Sequence, residues 1–91
     1  MEDPIEAMIK AGAKIVDVRS PEEFEDEHFP NAVNIPVNLI QSRLEELGDK
    51  STPMVLYCAS GSRSAYAARV LAMSGFKKVV NAGGLADMPG Y

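Results

Sequence analysis

The chain has 91 residues, 46% hydrophobic and 24% charged, which argues against disorder and fits a single domain over 1–91 with a modest core. A net charge of −4 without any Lys/Arg cluster argues against nucleic acid or an anionic membrane surface as a partner, and no apolar run reaches membrane-spanning length. The one cysteine, Cys58, excludes an internal disulfide, a CxxC redox pair and a multi-cysteine zinc site.

The N-terminal stretch MEDPIEAMIKAGAK lacks the basic start and apolar run of an export signal. A cytoplasmic location is therefore expected, or a periplasmic one if a leader has been removed. Within that stretch, Asp3-Pro4-Ile5-Glu6 reads as N-cap, first-turn proline and third-position glutamate of a helix. Ile5, Met8 and Ile9 share a face, and Gly12 ends the helix. KIVDV (14–18) is short, β-branched and almost continuously apolar, as in a strand buried on both faces. Ser20-Pro21-Glu22-Glu23 repeats the capping pattern and starts a short helix running towards Glu27. Its acidic stretch, Glu22–Glu27, reads as a solvated face.

Pro30 and Asn31 break that helix, and AVNIP (32–36) makes a brief strand. Ile40, Leu44 and Leu47 recur at i, i+4 and i+7, which predicts a third amphipathic helix closed by Gly48. PMVLY (53–57) is the strongest strand. Ser64 to Ser74 is predicted helical, with Ala67, Val70 and Leu71 facing inward and Gly75 and Phe76 forming a Schellman end against Leu71. KKVVN (77–81) is the last predicted strand, and Gly83-Gly84 turns into a short terminal segment. Strands alternating with helices at short intervals predict an α/β fold, a small parallel sheet of four to five strands flanked by helices on both faces. Ligands of such sheets bind outside the carboxyl ends of the strands, where Cys58 lies.

A lone cysteine after a strand is more often an apolar filler than a nucleophile. Here the residues that follow, Ala59, Ser60, Gly61 and Ser62, let the backbone curl tightly before a helix begins. Strand, tight loop and helix N-terminus gather backbone N–H groups around one point and favour negative charge there. Such surroundings commonly lower a thiol pKa from about 8.5 to roughly 3.5–7.5, and Arg63 adds a positive charge at the rim. Packing alone does not require these features together, so Cys58 is read as an activated thiolate.

Three segments in order resemble the single-domain rhodaneses, the thiosulfate sulfurtransferases. IVDVRSPEEFEDEHFPNAVNIP (15–36) resembles the first family signature, YCASGSRS (57–64) the Cys-x-x-Gly-x-Arg-Ser active-site loop, and NAGGLADM (81–88) the closing segment. Departures are Glu27 and Asn31 where glycines are usual, no tryptophan near the end, and a strand ahead of the first helix that is missing or cut very short.

The resemblance implies a rhodanese fold and a persulfide on Cys58, formed from thiosulfate or a persulfide donor. Cyanide, a small thiol or a protein thiol of a sulfur relay would then take the sulfur, in ping-pong fashion. No cofactor or metal is implied, and a monomer suffices. Backbone N–H groups of Ala59, Ser60, Gly61, Ser62 and Ser64 would hold the sulfur in a wide, shallow mouth. Arg63 would bind the sulfonate of thiosulfate or fix the loop. Arg19 either reaches substrate or, the better reading, braces the scaffold through Asp17 or Glu23. His28 belongs to a structural turn. A non-enzymatic persulfide carrier or interaction module is the alternative. A phosphatase is disfavoured, because related phosphatases on this fold carry one more residue between cysteine and arginine.

Overall fold

The computed structural model describes residues 3–91. Four strands, β1 (Lys14–Asp17), β2 (Val33–Asn34), β3 (Met54–Cys58) and β4 (Val79–Gly84), form one sheet in the order β2-β1-β3-β4, and every pair is parallel. Three helices, α1 (Pro4–Lys10), α2 (Pro21–Asp26) and α3 (Ser62–Met73), flank it. Chain order reverses between β1 and β3, so the carboxyl ends of those two strands border the crevice where such sheets bind ligands.

Local chemistry accounts for the helix ends. Asp3 Oδ1 accepts the Ile5 N–H at 2.9 Å and starts α1. A full capping box starts α2: Ser20 Oγ accepts the Glu23 N–H at 3.2 Å, and Glu23 Oε1 accepts the Ser20 N–H at 3.0 Å. At the end of α3, Gly75 takes φ +100°, and the Phe76 N–H reaches the Leu71 carbonyl at 3.0 Å. With the Gly75 N–H on the Ala72 carbonyl at 3.1 Å, this completes the Schellman motif.

Two apolar layers follow from the period of two along β1 and β3. Val16, Met54, Leu56 and Cys58 point towards Ala67, Leu71 and Phe76, together with Ile40 and Leu47. Ile15, Val55 and Tyr57 point the other way, against Leu85, Met88 and the α1 residues Ile5, Met8 and Ile9. All five residues of β3 are buried, as a central strand covered on both faces requires.

Residues 37–47 and the last strand differ most from expectation. Residues 37–47 form two 3₁₀ segments, Val37–Leu39 and Gln41–Leu47, in place of an amphipathic α-helix. Ser42 Oγ bonds the Leu39 carbonyl at 3.0 Å, and the backbone leaves helical angles at Arg43 (φ −120°), whose guanidinium turns to Glu46. Ile40 and Leu47 still reach the core, so the apolar spacing correctly found the buried positions but not the winding. The last strand begins at Val79 and runs on through Gly83 and Gly84, with an irregularity opposite Leu56–Cys58. Lys77 and Lys78 belong to its approach instead. At Gly84 the strand passes tightly against Ala59, with no room for a Cβ.

Candidate functional site

Cys58 ends β3, and its sulfur lies inside the turn that leads into α3. Gly61 makes that turn possible: it caps α3 with φ +103°, in the left-handed region that favours glycine. The helix therefore starts at Ser62, two residues before its predicted start, and Arg63 lies in its first turn. Three polar groups surround Cys58 Sγ: the Gly61 N–H at 2.9 Å, the Ser64 N–H at 3.4 Å and the Ser64 hydroxyl oxygen at 3.3 Å. Burial pushes the thiol pKa up. The hydrogen bonds from the Ser64 hydroxyl and from the Ser64, Gly61 and Ser60 N–H groups outweigh it, leaving the thiol below its ordinary value.

The mouth is closed rather than wide. Cys58 is 0% exposed, while Ala59, Ser60 and Ser62 form an exposed rim above it. The end of β4 runs beside this loop, with Gly84 level with Cys58 in the sheet. A Cβ on Gly84 would stand only 2.2 Å from the Ala59 carbonyl oxygen, and one on Gly61 3.4 Å from Gly83 Cα. Gly84→Ala is therefore expected to push the loop off β4, costing about 1–3 kcal/mol of stability. It should also raise the thiol pKa as the donors separate from sulfur. Thermal melts and the pH dependence of alkylation check both effects.

Asn81, which sequence reasoning did not single out as a site residue, joins β4 to the loop. Its Oδ1 accepts from the Ser64 hydroxyl at 2.6 Å and from the Gly83 N–H at 2.9 Å, and its Nδ2 donates to the Gly61 carbonyl at 3.2 Å. Ser64 is fully buried in this network. The one available signal was the position of Asn81 in the NAGGLADM segment; its contact with Ser64 arises only when β4 pairs with β3.

Both arginines hold carboxylates. Arg63 grips Glu23 bidentately, Nη1 to Oε1 at 2.8 Å and Nη2 to Oε2 at 3.1 Å, joining the first turns of α3 and α2. Arg19 turns to Asp17 instead. Its guanidinium donates to Asp17 at 2.7–3.1 Å and to the Glu27 carbonyl at 2.6 Å, over the Tyr57 ring. His28 Nδ1 donates to the Phe24 carbonyl at 2.7 Å, and its ring stacks on Phe24, closing α2. Among the described residues, no group of three or more His, Cys, Asp or Glu side chains could hold a metal ion. A surface depression of about 400 Å³ on the outer side of α3, lined by residues including Tyr66, Arg69 and Met73, contains none of the loop residues. The Cys58 loop is the candidate site.

Arg63 and the Ser20 N–H draw the Glu23 carboxyl down to about 2. A folded-state pKa below the unfolded value adds stability that is complete above the ordinary carboxylate range and lost as pH falls through the folded value. Glu23→Gln keeps the capping box and removes the ion pair. With both side chains 36% exposed, the pair contributes about 0.5–1 kcal/mol. The stability gap between parent and variant should close from about pH 4.5 down to about pH 2, as urea melts across that range would read.

Comparison with known proteins identifies the fold family. The family model of the rhodanese-like domain matches residues 2–87. Thiosulfate sulfurtransferase PspE of Escherichia coli (strain K12) is 38% identical over 74 residues, 80% of this chain and 71% of that protein. A putative sulfur carrier protein, YrkF of Bacillus subtilis (strain 168), is 43% identical over 67 residues, 74% of this chain but only 36% of that protein. A solved structure described as a rhodanese with anions from E. coli superposes with a TM-score of 0.81 at 35% identity, covering 86% of this chain and 93% of its own. The chain thus belongs to the rhodanese-like domain family, with the parallel α/β sheet of that fold.

Proposed function

We propose that this chain is a thiosulfate sulfurtransferase working through a persulfide on Cys58. The observation that carries the reading is the sulfur held by the Gly61 and Ser64 N–H groups with the Ser64 hydroxyl within reach, surroundings suited to a thiolate. In the first half-reaction the Cys58 thiolate attacks the outer sulfur of thiosulfate. A bond forms between Sγ and that sulfur, the sulfur–sulfur bond of thiosulfate breaks, and sulfite leaves with the electron pair. In the second half-reaction cyanide, a small thiol or a relay-protein thiol attacks the outer sulfur, and Cys58 leaves as thiolate. Neither half needs a metal or an organic cofactor.

Because Cys58 is buried, the donor reaches Sγ as the exposed rim of Ala59, Ser60 and Ser62 yields, and the loop N–H groups then hold the outer sulfur. Arg63 is the cation beside the loop. It meets the sulfonate by sharing or releasing Glu23, whereas Arg19, engaged with Asp17, braces β1. The protein works as a monomer in a reducing compartment such as the cytoplasm. No described helix is long and apolar enough to cross a membrane.

Steady-state formation of thiocyanate from thiosulfate and cyanide tests the reading. Many turnovers per Cys58 with ping-pong kinetics are expected. A persulfide carrier is the second reading, favoured by the closed loop and the similarity to a putative sulfur carrier. Loading of one sulfur followed by a stall with thiosulfate and cyanide would select the carrier.

A further inference from the structure

We infer that Asn81 is a positioning residue for the Cys58 sulfur, because it competes with Sγ for the single hydrogen of the Ser64 hydroxyl. Four acceptors lie near Ser64 Oγ: Asn81 Oδ1 at 2.6 Å, the Gly61 carbonyl at 3.2 Å, Cys58 Sγ at 3.3 Å and the Gly83 carbonyl at 3.4 Å. A hydroxyl donates once and accepts as well. The distance to Asn81 is that of a well-formed O–H···O bond, and the Gly83 N–H on the same Oδ1 fixes that oxygen as the acceptor end of the amide. With a neutral thiol, the Ser64 hydrogen therefore rests on Asn81, and the Cys58 S–H can point at Ser64 Oγ.

Loss of the thiol proton reverses the preference. The sulfur now carries charge and accepts only, and a charge-assisted bond outweighs a neutral one. Rotation of the hydroxyl about Cβ–Oγ moves the hydrogen from Asn81 to Sγ. Asn81 Oδ1 keeps the Gly83 N–H, so nothing is left orphaned. Each thiolate forms at the expense of one bond to Asn81, so Asn81 holds the thiol pKa above the value that Ser64 alone would set. In a persulfide the charge moves to the outer sulfur, about 2 Å further out, and the hydrogen is free to return to Asn81. The device thus distinguishes the empty from the loaded cysteine.

Other charges around the sulfur are already paired. Arg63 of α3 holds Glu23 of α2, and Arg19 holds Asp17 of β1. Arg43 and Glu46 hold each other on the 3₁₀ segment, Asp87 accepts the Gly84 N–H at 2.9 Å, and Val79–Gly84 carries no ionisable side chain.

The bearing on catalysis rests on the sulfurtransferase reading. The test uses no sulfur donor, so the two can fail separately. Thiolate ultraviolet absorbance and the rate of iodoacetamide alkylation are followed against pH for the parent, Asn81→Ala, Ser64→Ala and the double variant. Asn81→Ala should lower the Cys58 midpoint by about half a unit to one unit, the worth of one neutral hydrogen bond. Ser64→Ala should raise it, and in that background Asn81→Ala should have no further effect. Asn81→Leu, which keeps the side-chain volume, carries the same expectation should the alanine variant loosen the loop. An unchanged or raised midpoint in both Asn81 variants overturns the inference, as does a lowering that persists without Ser64.

Discussion

Cys58→Ser is expected to abolish sulfur transfer while leaving the fold intact. Activity should fall by at least about 1000-fold, as when other covalent nucleophiles are removed. The variant Oγ occupies nearly the same place and can accept the Gly61 and Ser64 N–H groups that now reach sulfur at 2.9 and 3.4 Å. Stability should therefore change by no more than about 1 kcal/mol. An alcohol is not ionised near neutral pH in this site, and its oxygen cannot carry a sulfane sulfur. Cys58 is the only cysteine in the chain, so no second thiol can substitute. Thiocyanate formation and a thermal melt on the same sample read the two effects, and substantial residual turnover would remove Cys58 from the mechanism.

Arg19→Ala is expected to act in the opposite way, on the fold before the chemistry. Asp17 is fully buried at the end of β1, and both carboxylate oxygens accept from the Arg19 guanidinium, at distances down to 2.7 Å. Removing the guanidinium leaves that carboxylate with the residue 19 N–H, now at 2.9 Å, and the Tyr57 hydroxyl. Breaking one side of a buried pair costs about 3–5 kcal/mol, a large share of the roughly 5–15 kcal/mol that holds a typical domain. The Glu27 carbonyl and the face of Tyr57 lose their partner as well. The Tm should fall by more than about 10 °C. Replacing Asp17 and Arg19 together by apolar residues should recover part of the loss. At a temperature where Arg19→Ala remains folded, KM for thiosulfate should stay near the parent value. A large rise in KM with little loss of stability would instead make Arg19 a substrate-binding residue.

Features legible in the sequence were those decided within a few residues. Asp3-Pro4, the Ser20/Glu23 box and the Gly75-Phe76 end are satisfied by their own neighbours, so spacing alone located them. Cys58, Gly61 and Ser64 lie within one turn of chain, and the Gly/Ser composition of that turn announced the clustering of N–H groups on sulfur. The winding of residues 37–47 was not legible, because 3₁₀ and α geometries bury the same apolar positions and the choice fell to the Ser42 back-bond and the bend at Arg43. Contacts across the sheet were hidden for a different reason. Asn81 meets Ser64 across 17 positions and Glu23 meets Arg63 across 40, and both depend on the register of β4 and the placing of α2. The tight passage of Gly84 backbone against Ala59 backbone was equally hidden.

Intact-mass measurement of the reduced protein before and after thiosulfate, with Cys58→Ser alongside, tests the persulfide at Cys58 most directly. A gain of one sulfur atom in the parent chain, reversed by cyanide and absent in the variant, is the expected result. An unchanged mass in the parent, or an equal gain in the variant, would contradict sulfur transfer from thiosulfate through Cys58.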